Sequence, residues 1–205
     1  MKQKPYPLGF TAVGLMPLEL QEVAKSYLSH SKDWEKTTQM ILENNPLQKN
    51  TKATILRKYR ELKKRCQNLT EDELTTLAAG SHTKLLAYLS VVKSYPIVYE
   101  FVTEVLRNKY LSFDRFFYES DWRNFLEMKK EQYDILAAKS DSTLRKIRQV
   151  ILSIMKETGI LEDTIIERPY LPVEFTQLVC QDNPQWLAAF LWSDTDIATT
   201  CKGMP

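Results

Sequence analysis

The sequence predicts an all-α protein of two small helical domains. The second carries the element order of a winged helix-turn-helix, with one short β-hairpin. Three observations predict this. Apolar residues recur at intervals of three and four through most of the chain. Capping residues and prolines interrupt those runs at helical lengths. Only 5 glycines occur in 205 residues, too few for many tight hairpins or for glycine-rich phosphate loops. Hydrophobic residues at 43% and charged residues at 26% supply a real core and a wettable surface.

Taken in order, residues 1–14 read as extended, because Pro5 and Pro7 bias their neighbours away from helix. A helix over 15–28 places Leu20, Val23, Ala24, Tyr27 and Leu28 on one face, with Pro17 suited to its first turn. Ser31 or Asp33 caps a second helix that turns Trp34, Thr38, Ile41 and Leu42 inward and stops before Asn44-Asn45-Pro46. Asn50 or Thr51 caps a third, over 51–67, with Ile55, Leu56, Tyr59, Leu62 and Cys66 along one stripe. Thr70-Glu71-Asp72-Glu73 is a capping box that opens a short helix ended by Gly80. A domain boundary is placed near residue 70, giving domains 1–69 and 70–205.

Ser81 caps a markedly apolar helix with Leu85, Leu86, Leu89 and Val92 inward. Pro96 ends it and starts another over 97–109, where Phe101, Val105 and Leu106 repeat at helical spacing. This pair is expected to centre the second core. After an aromatic-rich connection, Ser120 caps a helix over 121–132 with Trp122, Phe125 and Leu126 inward. Asp141 or Ser142 caps a long helix to 158 whose apolar face is Leu144, Ile147, Ile151, Ile154 and Met155; Gly159 closes it. Ile160-Leu161, a turn at Glu162-Asp163, and Thr164-Ile165-Ile166 form a two-stranded ribbon. Helices near 173–179 and 184–191 complete the chain, and the last dozen residues are expected to fray.

The net charge is only +2, but it is unevenly spread. Residues 1–70 hold 13 Lys and Arg against 6 Asp and Glu, a net of +7; residues 71–205 hold 15 against 20, a net of −5. The helix over 51–67 carries Lys52, Arg57, Lys58, Arg60, Lys63, Lys64 and Arg65 against the single acid Glu61. Arg57, Arg60 and Lys64 project from neighbouring turns on one side; Lys58 and Arg65 project from another. Such a rod suits a polyanion, most directly the phosphates of duplex DNA. A solvated lysine-rich helix is the plain alternative. Arg145, Lys146 and Arg148, at the start of the long helix, are a second expected contact. Base readout is open only to Gln149 and Arg145, so sequence-independent binding is expected.

Chemistry is conspicuous by what is missing. His30 and His82 are isolated, and no HExxH, Walker A, Rossmann glycine run or G-x-S-x-G occurs. No catalytic residue, metal, cofactor or small-molecule substrate is expected. Cys66, Cys180 and Cys201 make no CxxC pair, and no apolar h-region stands at the N-terminus, which points to a reduced, cytoplasmic setting. The most apolar window, 85–92, is far short of the roughly 20 residues of a bilayer span. A second functional reading is a protein-docking subunit that uses Tyr110, Phe113, Phe116, Phe117, Tyr118, Trp186 and Trp192; packing of those rings into small cores is its plain alternative.

Between 95 and 175 several motifs stand in a telling order. Tyr95-Pro96 precedes a helix ending in Lys109-Tyr110, then comes Asp121-Trp122-x-x-Phe125-Leu126. Ser140 to Thr143 follow as S-x-S-T, then a basic start and an apolar helix ending in Gly159-x-Leu161. This stretch resembles the BrxA family of BREX (bacteriophage exclusion) phage-defence systems. FTAVGLMPLELQEVAKSYL resembles the family's opening T-x-G-G-L…E…VA-x-x-L, departing from it at Val13, where a glycine is expected. The resemblance spans most of residues 10–175. It implies an all-α fold in two parts, likened to the RNA-binding antitermination factor NusB and to helix-turn-helix modules. It also implies a non-enzymatic, DNA-binding accessory role, with double-stranded DNA and other BREX components as partners.

Overall fold

The structure is a computed structural model that describes residues 6–48 and 51–203. The chain forms two compact units, Ala12–Ser94 and Met1–Thr11 with Tyr95–Pro205. Among the described residues the fold is all-α apart from one small sheet.

In the first unit, α1 (Pro17–Ser29) is touched by every other helix: α2 (Trp34–Asn44), α3 (Lys52–Gln67), α4 (Glu71–Ala78) and α5 (Thr83–Ser94). Pro17 sits in its first turn, where the missing N–H costs nothing, and Leu20, Val23 and Ala24 are buried. Before it, Gly14 takes a left-handed φ of 63°, so the turn keeps its glycine although Val13 stands beside it, buried. Asp33 caps α2 by accepting from the backbone N–H groups of Glu35 and Lys36, and those bonds hold its carboxyl below the usual range. Thr51 caps α3 through the Thr54 N–H; the alternative cap Asn50 lies outside the described residues, as does Pro5.

The capping box of α4 is complete. Glu73 N–H donates to Thr70 Oγ1 at 3.3 Å, and Thr70 N–H donates to Glu73 Oε2 at 2.8 Å. The same carboxylate receives the Lys93 ammonium of α5 at 2.6 Å, an ion pair with side chains 0% and 5% exposed.

The second unit is built on a helical run formed by α6 (Pro96–Glu100), a π-helical stretch Phe101–Arg107 and α7 (Asn108–Leu111). The Phe101 ring meets those of Phe117, Trp122 and Phe125 at 5.8, 5.2 and 5.3 Å. Next come α8 (Glu119–Gln132), α9 (Asp134–Ala137) and α10 (Asp141–Glu157), then β1 (Leu161–Glu162) and β2 (Ile165–Ile166). The strands pair antiparallel, Leu161 opposite Ile166. Arg115–Phe117 adds to β2: Ile166 N–H donates to the Arg115 carbonyl at 2.8 Å and Phe117 N–H to that of Thr164 at 2.7 Å. The N-terminal segment joins this unit through Tyr6. Its ring stacks on Tyr133 at 3.9 Å and its hydroxyl donates to Glu100 at 2.7 Å. Lys129 binds Glu100 and Glu104 at 2.9 and 2.8 Å beside it. The chain ends in α11 (Val173–Asp182), a 3-10 turn Pro184–Phe190 and α12 (Asp194–Lys202).

Several expectations change. The units divide at Tyr95, while residue 70 falls between α3 and α4, both packed on α1. The apolar helix before Pro96 therefore belongs with α1, and the run after Pro96 centres the other core. The segment before α1 includes a 3-10 turn, Gly9–Ala12, where extended chain was expected. α8 begins at Glu119, one residue before its expected cap, with the Asp121 carboxylate accepting from Tyr118 N–H. Ser140, not Asp141 or Ser142, caps α10. Fraying was expected over the last dozen residues, but Asp194–Lys202 are helical: Ser193 caps α12, Ile197 is buried, and Cys180 is disulfide-bonded to Cys201 with Cα atoms 5.4 Å apart. The disulfide runs against the reduced setting that the cysteine spacing led us to expect. Cys66 alone is free, and burial pushes its thiol up to about 12.

Candidate nucleic-acid interface

Ile55, Tyr59, Leu62 and Cys66 bury one stripe of α3 at spacings of four, three and four. That burial holds together a helix whose own charges repel. On its outer side Lys52, Arg57 and Arg60 are exposed, and among the described residues none of them has a carboxylate partner. Lys58, Lys63 and Lys64 are half-buried. The Lys63 ammonium lies over the Trp34 ring at 5.2 Å. Desolvation pulls Lys64 below the usual lysine range, aided by Arg65 and opposed by Glu61.

Arg65 is the exception on this helix. It is 0% exposed, and its guanidinium donates to the carbonyls of Leu15 at 3.0 Å and Gly14 at 2.7 Å. The group that the sequence places on the polyanion is instead the clamp on the turn leading into α1. Position supplies the reason. Arg65 stands three residues after Leu62 and one before Cys66, at the edge of the buried stripe, so its side chain runs inward.

On α10, Arg145 and Lys146 are exposed, the latter 3.4 Å from the Gln149 side-chain oxygen. Arg148 is half-exposed and ion-paired with Glu119 at the start of α8. Between α8 and α10 runs an open groove of about 380 Å³, floored by Trp122, Leu126 and Leu144. Its polar walls are Arg123, Lys130, Arg145 and Arg148 against Glu119 and Asp141. Arg123 and Lys130 are the cations that sequence reasoning missed. They lie seven residues apart on one face of α8, a spacing visible in the sequence but hidden by the neighbouring Glu127 and Glu131. Lys130 pairs with Glu127 at 2.9 Å.

The hairpin is not cationic. Glu162 and Asp163 stand at its tip, both exposed. Beside it Phe116, Tyr118 and Ile165 form an apolar strip, since Phe116 faces Ile165 across the ladder and its ring lies 6.4 Å from that of Tyr118. Phe113 is 86% exposed with a left-handed φ of 63°. Of the other rings expected on a docking face, Phe117 is buried and Tyr110, Trp186 and Trp192 are half-buried.

Among the described residues no group of three or more His, Cys, Asp or Glu is placed to hold a metal ion, and no single helix is long and apolar enough to cross a membrane. Fold and surface together define a two-unit helical protein with cation-bearing faces on α3 and α10. The family model for BrxA matches residues 4–183, and the chain belongs to the BrxA family of BREX phage-defence components. It is similar to the BREX protein BrxA of Bacillus cereus (strain H3081.97), 25% identical over 183 residues, covering 86% of this chain and 91% of that protein. It is also similar to the BREX protein BrxA of Escherichia coli O9:H4 (strain HS), 23% identical over 150 residues, 72% and 70% of the two chains. Among solved structures, an uncharacterized protein from Magnetospirillum magneticum shares the fold with a TM-score of 0.78 at 17% identity, over 92% of this chain and 98% of that one.

Proposed function

We propose that this chain is a non-enzymatic accessory component of a BREX system that grips duplex DNA through its phosphates, largely without regard to sequence. The observation that carries the reading is the outer face of α3. There Lys52, Arg57 and Arg60 stand exposed and without carboxylate partners among the described residues, on a helix anchored by its opposite stripe. Unneutralised cations on a rigid rod are what a phosphate backbone recruits. Lys58, Lys63 and Lys64 flank them, and Arg145, Lys146 and Arg148 of α10 supply the second contact. The order α8, α9, α10 and hairpin is that of a winged helix-turn-helix, with α10 as the helix that meets the duplex. The hairpin stays off the backbone, because Glu162 and Asp163 at its tip would repel phosphate.

Titration of a labelled duplex at increasing salt tests this. With four to six phosphate contacts, log K falls against log salt with a slope of about −4 to −5. A flat response overturns the reading. Equal-length RNA run beside the duplex decides between DNA and a NusB-like RNA role.

A second reading has its own observation. Phe113, Phe116 and Tyr118 are 86%, 49% and 54% exposed, the kind of aromatic surface that docks protein. Association with another BREX component that survives nuclease and high salt would favour it.

A further inference from the structure

The Arg148–Glu119 pair has a position that its chemistry makes informative. Both residues line the α8–α10 groove, and both also line a second pocket of about 300 Å³ bounded by Phe117, Leu152, Leu161 and Thr164. The pair is therefore the partition between two concavities. It is half-exposed, so water and solutes reach it, and the Arg148 Nε–H is buried with no acceptor. Its guanidinium thus keeps unused donor capacity. In the same groove Arg123 of α8 and Arg145 of α10 have no carboxylate partner among the described residues. Three guanidinium groups and Lys130, itself paired with Glu127, thus line one recess with two carboxylates, Asp141 and Glu119, of which Glu119 holds Arg148.

We infer that this groove binds a phosphate group, and that Glu119 holds its place on Arg148 until the phosphate arrives. A carboxylate and a phosphate present the same paired oxygens to a guanidinium fork, so one displaces the other without a new geometry. Arg123 and Arg145 meet the incoming anion, and Glu119, released, is solvated at the groove mouth. The latch makes binding at α10 weaker than its cation count suggests. It also lowers the salt dependence, because Arg148 begins already neutralised and the freed Glu119 takes up a cation. The inference rests on the DNA reading for the source of the phosphate, not for the groove itself.

The test is Glu119→Gln, which keeps the shape of the side chain and removes its charge, measured on the full chain with a 20-base-pair duplex. The expected result is several-fold tighter binding and a salt slope steeper by about one unit. Arg148→Ala added to E119Q should cancel both gains. A merely structural role for Glu119 would move the melting temperature and leave the slope alone. Unchanged affinity and slope in E119Q, with weakened binding in Arg57→Ala/Arg60→Ala, overturn the latch and leave the DNA reading standing. The second arm is inorganic phosphate, followed by NMR of the Arg148 Nε–H. A shift at lower phosphate in E119Q than in the unaltered chain, without any duplex binding, keeps the groove and removes the DNA reading. No shift and no duplex binding overturn both.

Discussion

Replacing Arg65 by methionine separates a core residue from a DNA contact. Arg65→Met keeps the length and apolar character of the stem and removes the guanidinium. The carbonyls of Gly14, part-buried, and Leu15, buried, then lose donors at 2.7 and 3.0 Å. Hydrogen bonds to a charged group contribute about 1.5–3 kcal/mol each, so the pair amounts to about 3–6 kcal/mol. Removing a buried charge offsets part of that loss, which leaves about 3 kcal/mol as the expected destabilisation. In a chain of this size 1 kcal/mol moves the melting temperature by about 2–4 °C, so R65M should melt about 6–12 °C lower. The assay is a thermal melt paired with the salt titration of duplex binding below the transition. The salt slope should stay that of the unaltered chain. A variant that melts normally yet loses about one unit of slope would refute the reasoning, since it would mean that Arg65 reaches phosphate.

Three more outcomes follow from other parts of the structure. Arg57→Ala/Arg60→Ala should flatten the salt slope by about two units while changing stability by less than about 0.5 kcal/mol, because both side chains are exposed; a melt shows whether the fold is intact. Lys93→Met strands the buried Glu73 carboxylate and should cost about 3–5 kcal/mol by urea unfolding, with part of the loss recovered when Glu73→Leu is added. Alkali should weaken the unit that holds Tyr6. Burial and then the Glu100 hydrogen bond raise the Tyr6 hydroxyl above its ordinary 10.0, and the same causes raise Tyr133. Burial opposes the charge of Lys129, but its bonds to Glu104 and Glu100 outweigh that and raise it above 10.5. All three bind their protons more tightly when folded, so their contribution is complete below about pH 10 and is lost as pH rises through the folded values. Melts at pH 9 and 11 should differ more in the unaltered chain than in Tyr6→Phe.

Helix existence was legible wherever an apolar period and a cap coincided. Thr70 to Glu73 announced α4, Asp33 was among the named caps of α2, and Gly159 closed α10 at a φ of 76°. Packing partners were not legible. α5 is apolar on nearly every side, so its sequence says that it is buried without saying against what. Its place on α1, α3 and α4 is a tertiary outcome, as is the join of Tyr6 to Glu100 across 94 residues. Cys180 and Cys201 lie 21 residues apart with no motif to link them, and only the return of α12 onto the preceding 3-10 turn brings them together. On the candidate site, the cation count of α3 was readable but its partition was not. Counting charges treats Arg65 and Arg60 alike; their offset from Leu62 by +3 and −2 makes one inward and the other outward.

Charge placement also reconciles a net charge of +2 with the proposed grip on a phosphate backbone. At physiological salt the Debye length is about 8 Å, so a phosphate responds to the side chains it touches and not to the molecular total. On α3 the exposed Lys52, Arg57 and Arg60 act at nearly full strength. On α10 the cations share their surface with Glu119 and Asp141, and one of them is already occupied. The two helices therefore contribute different things to the proposed phosphate binding. α3 provides attraction that salt weakens and geometry barely constrains. α10 provides a shaped recess where attraction depends on exchanging one carboxylate for another oxyanion. An interface built only from the first kind would hold any polyanion, whereas the second kind adds a requirement on where the phosphate sits.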